Sequence, residues 1–316
     1  MQDFDSLYLV VTSNGNRRGL AALTRALHGK VVPKALAMIT VDGSLLQRKL
    51  TTFRATLTPK GSYAILLSRD EAQARAQIVH WPDVKVVAIP EAGGVACGLL
   101  SVLVEILAES PQAEILVVSA ESYVADPRPF IATLARARAQ LGLASAVVLG
   151  TAASCLDLCR PWLVPGARLE KAIFSLADAP VPASKAERQA LLASGAMWST
   201  STFVARGHFL LRVLARALPE EAKALARGYP VPHERADVLG GTADTSNVDV
   251  EALLLRETGS VAIARVEGGG WNDWRNPDQV FHSLRSPFEL AWLLSRLAAD
   301  APARWFARAQ RSPATA

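Results

Sequence analysis

The sequence predicts an α/β fold, with a mostly parallel central sheet and helices on both of its faces. Three observations lead there. Short apolar runs recur through the first half, at Leu7–Val11, Tyr63–Leu67, Val84–Ile89, Ile115–Val118 and Ser145–Leu149. Apart from Lys85 and the leading Ser145 they are apolar rather than alternating, which is the pattern of strands buried on both faces. Segments of helical periodicity separate them, and strands alternating with helices build parallel crossover units. Half of the 316 residues are apolar and a fifth are charged, enough for a sizeable globular core. Ligands in such sheets gather beyond the carboxyl ends of the strands.

The elements follow in order. After the first strand come a polar turn, Thr12–Asn16, then Arg17-Arg18-Gly19 and a helix over Leu20–Leu27. Ser44-Leu45-Leu46-Gln47 opens a second helix. Helices are expected over Arg69–His80, Val95–Ala108 and Pro127–Leu141, the last with prolines suited to a first turn. Prolines 161, 165, 180 and 182 make Leu156–Ser184 a loop-rich excursion, with one strand around Ala172–Leu176. Helices follow at Ser184–Ser194, His208–Leu218 and Val248–Glu257. Val261–Val266 reads as a late strand, Gly268-Gly269-Gly270 as a sharp turn and Pro287–Gln310 as an amphipathic terminal helix. Neither an internal repeat nor a linker divides the chain, so one domain over 1–316 is expected, with 287–310 as its terminal helical segment.

Charge and cysteine usage exclude several classes. The 34 basic and 29 acidic residues leave a net charge of +5, compatible with a phosphorylated ligand. No lysine–arginine run is long enough to argue for nucleic acid. The acidic start MQDFDSLYLV has too short an apolar run for a signal peptide. The longest uncharged run, Ala139–Leu156, contains Gln140, Gly142, Gly150 and Thr151, and reads as a helix end, a strand and a loop rather than a membrane span. Three cysteines point to a reducing, cytoplasmic setting. Cys155 and Cys159 could share a helix face, but without a second ligand pair they are better read as buried or incidental thiols.

A strand feeding a small-residue turn and then a helix aims backbone N–H groups at an anion, and two arginines in the turn would add charge-assisted contacts. By itself this turn is equally a plain strand-to-helix connection with solvated arginines. Three further stretches extend the pattern: Asn14-Gly15-Asn16-Arg17-Arg18-Gly19-Leu20-Ala21-Ala22-Leu23-Thr24-Arg25, then Pro33-Lys34-Ala35-Leu36, then Ser44 to Gln47. Together they resemble the sugar-phosphate nucleotidyltransferases of the mannose-1-phosphate guanylyltransferase branch, which carry a GGxGTRLxxLTR-like loop, a PKQF segment and a SLLQ helix start. The resemblance extends to about Leu284. It implies a Rossmann-like nucleotidyltransferase fold, nucleotide transfer from GTP to a sugar-1-phosphate, and Mg²⁺ as cofactor in an active member.

Carried over residue by residue, the resemblance makes Lys34 the catalytic phosphate lysine and Asn14, Gly15, Arg17, Arg18 and Gly94 nucleotide-binding residues. Gly94 lies in Glu91–Gly98, where the family has an NRGTAPG-like segment; glycines for tight helix–sheet packing explain it equally well. Glu121, in Ser119-Ala120-Glu121, stands where the family places its first metal aspartate; a solvated sheet edge is the other reading. Asp273, in Gly270-Trp271-Asn272-Asp273-Trp274, matches the second metal ligand, or caps a following helix. Trp198 and Ser199, in a WNSGxF-like segment, and Asp249, in an S-x-D-like segment with Asn247 as a candidate cap, would face the sugar. An ordinary core strand and simple capping explain these as well.

The departures from the family pattern cluster at functional positions. Arg17 replaces a loop glycine and Gly19 the loop arginine. Glu121 is one methylene longer than the metal aspartate, while Mg²⁺ requires near-octahedral oxygen ligands at about 2.1 Å. Ala179 stands for the lysine that holds the sugar phosphate, beside an acidic Asp178. Two functions are therefore expected: a catalytically degenerate homologue that keeps the fold and nucleotide binding, or an active nucleotidyltransferase with an altered substrate and a rebuilt site. The partners implied are GTP or a GDP-sugar and a sugar phosphate, with no nucleic acid and no membrane. A homo-oligomer is compatible with either.

Overall fold

The computed structural model describes residues 6–153, 161–227, 248–284 and 286–297, together with Trp305 and Arg308. Its strands are β1 (Leu7–Thr12), β2 (Gly61–Leu67), β3 (Val84–Ile89), β4 (Glu114–Ser119), β5 (Tyr123–Val124), β6 (Ala146–Ala152), β7 (Trp162–Glu170), β8 (Ile173–Asp178), β9 (Met197–Arg206), β10 (Val261–Val266) and β11 (Trp271–Asn272). The helices are α1 (Ala21–His28), α2 (Leu45–Leu57), α3 (Glu71–Gln77), α4 (Gly94–Glu109), α5 (Arg128–Ala139), α6 (Lys185–Ala193), α7 (Gly207–Ala217), α8 (Pro219–Ala226), α9 (Val250–Leu255), α10 (Pro277–Ser283) and α11 (Pro287–Leu297).

Nine strands form one mixed sheet in the order β3-β2-β1-β4-β9-β6-β10-β8-β7. The block β3-β2-β1-β4 is parallel, as is the β6–β10 pair. Strand β9 enters between β4 and β6 antiparallel to both, and β8 runs against β10 and β7. Successive residues of β1 bury on opposite faces, which is why the run is apolar throughout. Leu7, Leu9 and Val11 join a core with Leu23 of α1, Leu50 of α2, Leu134 of α5 and Leu293 of α11. Tyr8 and Val10 join the other, with Leu103 of α4, Leu210 of α7 and Leu254 of α9.

Local chemistry sets several boundaries. Helix α2 opens on a capping box: Ser44 Oγ accepts from Gln47 N, and the Gln47 side chain accepts from Ser44 N at 2.9 Å. Arg69–His80 shortens to α3 behind a single 3₁₀ turn. The Leu156–Ser184 excursion holds a second strand, β7, that proline content conceals; the prolines are tolerated near the sheet edge. Helix α8 was not foreseen; the helix offered as an alternative after Asp273 is α10, whose cap is Asn276 and not Asp273. Helix α9 is capped by Asp249, while Asn247 and the Cys155–Cys159 pair lie outside the described residues. Beyond Leu297 the expected terminal helix is described only at Trp305 and Arg308. Among the described residues, no helix is long and apolar enough to cross a membrane.

Lys49, on α2, is buried beside Phe53 and Phe130, with its Nζ 3.4 Å from Ser122 Oγ. Burial first, and then the charge of Arg48, brings its ammonium down from 10.5 to about 7. The unfolded chain therefore binds a proton here that the folded chain does not hold between pH 7 and 10.5. Lys49 costs stability most fully below pH 7, and that cost fades as pH rises to 10.5. Replacing it by Met should raise stability by several kcal/mol at pH 6.5, with a gain over the wild type that shrinks steadily toward pH 10. Urea unfolding of both proteins across that range checks it; a gain independent of pH would show that packing, not charge, sets the difference.

Candidate nucleotide-binding cleft

A cleft of about 650 Å³ opens at the carboxyl ends of β1, β2 and β4. Thr12, Asn14, Leu67 and Ser119 form its floor, with Arg69, Glu91, Gly94 and Val95 on one wall and Ser201, Asp249 and Glu251 on the other. Gly94 has φ +60° and begins the sixteen-residue α4, so a positive helix end faces the cavity. Within α4, Gly98 is a packing glycine: a Cβ there would lie 2.7 Å from Ile65 and 2.9 Å from Ile89.

The turn after β1 is held from inside. Gly15 adopts φ +67°, and a Cβ there would meet Leu67 at 2.7 Å. Arg17 does not face solvent with a free guanidinium: it pairs with the buried Asp70 at the end of β2 and donates to the Gly15 carbonyl at 3.0 Å. Arg18 is exposed, and its backbone N–H caps onto Asn16 Oδ1 at 3.1 Å. Asn14 is exposed on the cleft and accepts from Asn16 N at 3.1 Å.

Glu121 forms the back of the cleft, with its side chain 13% exposed. Burial pushes its carboxyl up from the ordinary value, opposed by the Lys34 ammonium, Ser13 and the backbone N–H groups of Asn14 and Asn16. Ser13 Oγ donates to Glu121 Oε1 at 2.7 Å, and Lys34 Nζ stands 3.9 Å from Oε2. Lys34 is buried, donates through Nζ to the Asp273 carbonyl at 2.6 Å, and is joined to the turn by its own N–H on Asn16 O at 2.9 Å. Asp273, like Lys34, is buried and does not line the cleft, and its Oδ2 accepts from Arg275 Nε at 2.5 Å. The two-stranded β5–β11 ribbon holds the Trp271–Asp273 turn against the Glu121 segment, and Trp274 stacks on Tyr123 at 4.7 Å.

The three sugar-side residues separate. Trp198 is a core residue, edge-on to Trp162 at 6.0 Å. Ser199 is fully buried and bonds Glu251. Asp249 lines the cleft, and its Oδ1 caps α9 through Glu251 N at 2.9 Å and Ala252 N at 3.1 Å. A bulge against β6 puts Ser201 at φ +53° and turns it to the cleft, where it donates to Glu251 Oε2 at 2.9 Å. Ser201, Glu251 and Asp70 were missed by the sequence reading. Asp70 sits at a strand's carboxyl end, a place where site residues gather; Ser201 and Glu251 carry no local signal.

No family model matches the sequence, and no curated protein does. Solved structures match over most of the chain. The mannose-1-phosphate geranyltransferase of Thermus thermophilus is 19% identical, with 87% of this chain and 79% of that one covered at a TM-score of 0.69. The fold is that of the sugar-phosphate nucleotidyltransferases. The mannose-6-phosphate isomerase of Helicobacter pylori is 12% identical, covering 84% and 99% of the two chains at 0.64. The inositol-1-phosphate CTP transferase of T. maritima is also 12% identical, covering 95% and 99% at 0.55. These identities establish the nucleotidyltransferase architecture and leave substrate and activity to the site itself.

The docking of the Trp271–Arg275 turn on the loop after β1 is testable. A Cβ at Gly19 would lie 1.9 Å from the Arg275 carbonyl oxygen, a backbone atom with no side-chain route out of the way. Gly19→Ala should cost ~2–4 kcal/mol. Gly142→Ala, with nothing within 4 Å of the added carbon, should stay within about 0.5 kcal/mol of the wild type. Denaturant midpoints compare the two; equal midpoints would dissolve the contact.

Proposed function

We propose that this chain is a catalytically degenerate homologue of the mannose-1-phosphate guanylyltransferases, which keeps a nucleotide or nucleotide-sugar site in the cleft but does not turn over. The observation that carries this reading is the disposition of charge. Phosphoryl-transfer catalysis depends on positioning and on cations that neutralise the developing charge. Here Arg17 is engaged with Asp70 and Lys34 with Asp273 and Glu121, both within the protein. Among the described residues, the cleft is lined by Glu91, Glu121, Asp249 and Glu251 against Arg69, which pairs with Glu91. A triphosphate entering that surface meets more repulsion than attraction. Ala179, where the family has its sugar-phosphate lysine, offers no cation, and Asp178 beside it is exposed and acidic.

Carboxylates suit the other parts of a nucleotide-sugar. They accept from sugar hydroxyls and from the N–H edge of a guanine, and the N-terminus of α4 remains for a phosphate. GDP-mannose is accordingly the ligand of choice, ahead of GTP. Pyrophosphate release from GTP and mannose-1-phosphate should be absent beside an active relative assayed in parallel, while calorimetry should register GDP-mannose binding. Turnover within about tenfold of that relative, ~1.4 kcal/mol in barrier, would defeat the degenerate reading in favour of an active enzyme with a rebuilt site. Absence of both turnover and binding would remove the nucleotide site as well.

A further inference from the structure

The two residues that the family resemblance assigns to a divalent metal are joined here by cations of the chain itself. Lys34 Nζ lies 2.6 Å from the carbonyl oxygen of Asp273 and 3.9 Å from Glu121 Oε2. Its side chain is only 8% exposed, so it is a built-in group and not a surface lysine that swings in and out. The carboxylate oxygens are committed as well. Glu121 Oε1 receives Ser13 Oγ at 2.7 Å, and the backbone N–H groups of Asn14 and Asn16 favour the charged form of that carboxyl. Asp273 Oδ2 receives Arg275 Nε at 2.5 Å. The remaining oxygen, Glu121 Oε2, is buried without a hydrogen-bond partner and faces the ammonium.

Mg²⁺ does not fit this arrangement. It requires several oxygens with free lone pairs at about 2.1 Å in near-octahedral array and keeps part of its water shell. Glu121 Oε1 and Asp273 Oδ2 already accept protein donors, and an ion beside the remaining Glu121 oxygen would stand against the fixed like charge of Lys34 in a poorly solvated place. Among the described residues, no three His, Cys, Asp or Glu side chains come together to hold a metal ion.

We propose that the Lys34 ammonium is the resident cation of this cleft: it occupies the ground between Glu121 and Asp273 that a divalent metal would need, and the cleft takes its ligand without one. The second half rests on the nucleotide reading above, and the first half does not. Lys34 neutralises the Glu121 carboxylate from behind, so the face turned to the cleft is a compensated acid rather than a metal ligand. The N–H from Lys34 to Asn16 O places the same residue at the root of the phosphate-facing turn.

Mn²⁺ is the probe, because it binds oxygen sites more tightly than Mg²⁺ and free Mn²⁺ is counted directly by electron paramagnetic resonance. The wild-type chain should bind no Mn²⁺ at micromolar concentrations. One tightly bound Mn²⁺ per chain, lost in Glu121→Gln, would overturn the proposal. Lys34→Met empties the ground of its cation and should raise Mn²⁺ affinity by at least about tenfold, or ~1.4 kcal/mol. That gain should vanish in Lys34→Met/Glu121→Gln. A folded Lys34→Met chain with no gain would also overturn it, and if that variant does not fold, the wild-type and Glu121→Gln titrations decide alone. For the second half, the GDP-mannose affinity should agree within about threefold between millimolar Mg²⁺ and EDTA, and a strict Mg²⁺ requirement contradicts it. Absence of GDP-mannose binding in both buffers sinks the nucleotide reading and, with it, the second half, while the Mn²⁺ measurements still rule on Lys34.

Discussion

A carboxylate taken out of water at the back of the cleft is what the surrounding loops answer to. Glu121 ends the segment after β4 and is nearly enclosed, and a buried charge without partners costs several kcal/mol. Three separate stretches supply the compensation: Ser13, Asn14 and Asn16 from the turn after β1, Lys34 from the 3₁₀ turn that follows α1, and, through Lys34, the Asp273 turn near the end of the chain. The requirement to satisfy one side chain thus fixes the mutual position of segments 239 residues apart. The neighbouring Ser122 meets a second buried lysine, Lys49, so this short segment stands between two buried lysines.

The sheet makes that convergence geometrically available. Parallel β1, β2 and β4 end at one rim, and the backbone groups beyond a strand's carboxyl end are the ones left to bind something. Strand β9 crosses against this direction, so its bulge brings Ser201 and the partnered Glu251 to the same cavity from the opposite side. The outcome is a cleft at the strand ends with Arg17 turned inward beside it. A long cation in place of a loop glycine would crowd a triphosphate if it pointed outward; pointed inward, it neutralises Asp70 and braces the turn.

Much of the fold was legible because the signals are local. Uninterrupted apolar runs marked the strands buried on both faces, and Ser44 with Gln47 marked the start of α2. The elements that escaped have weak local signatures. Strand β7 contains a proline and a glycine and lies toward the edge of the sheet, and β5 and β11 are two residues each. Of the residues that the family resemblance implied, Asn14, Gly94, Glu121 and Asp249 line the cleft. Trp198 and Ser199 kept the look of a binding segment, yet they serve a tryptophan pair and a buried carboxylate.

The sequence by itself determined the α/β class, the two-faced burial of the first four sheet strands and the rim on which a ligand site would form, because apolar periodicity and capping chemistry act over a few residues. Only the tertiary structure decided which charges meet. The family resemblance implied a phosphate role for Lys34 and metal-ligand roles for Glu121 and Asp273, since each stood where a family motif carries that residue. Whether a lysine reaches a ligand or a carboxylate depends on desolvation and on distances of a few ångströms between distant segments. Folding brings the ammonium to 2.6 Å from the Asp273 carbonyl and the guanidinium of Arg17 onto Asp70, so two of the three cations that the sequence offers to a ligand are consumed in holding the cleft together, and Arg18 stays exposed.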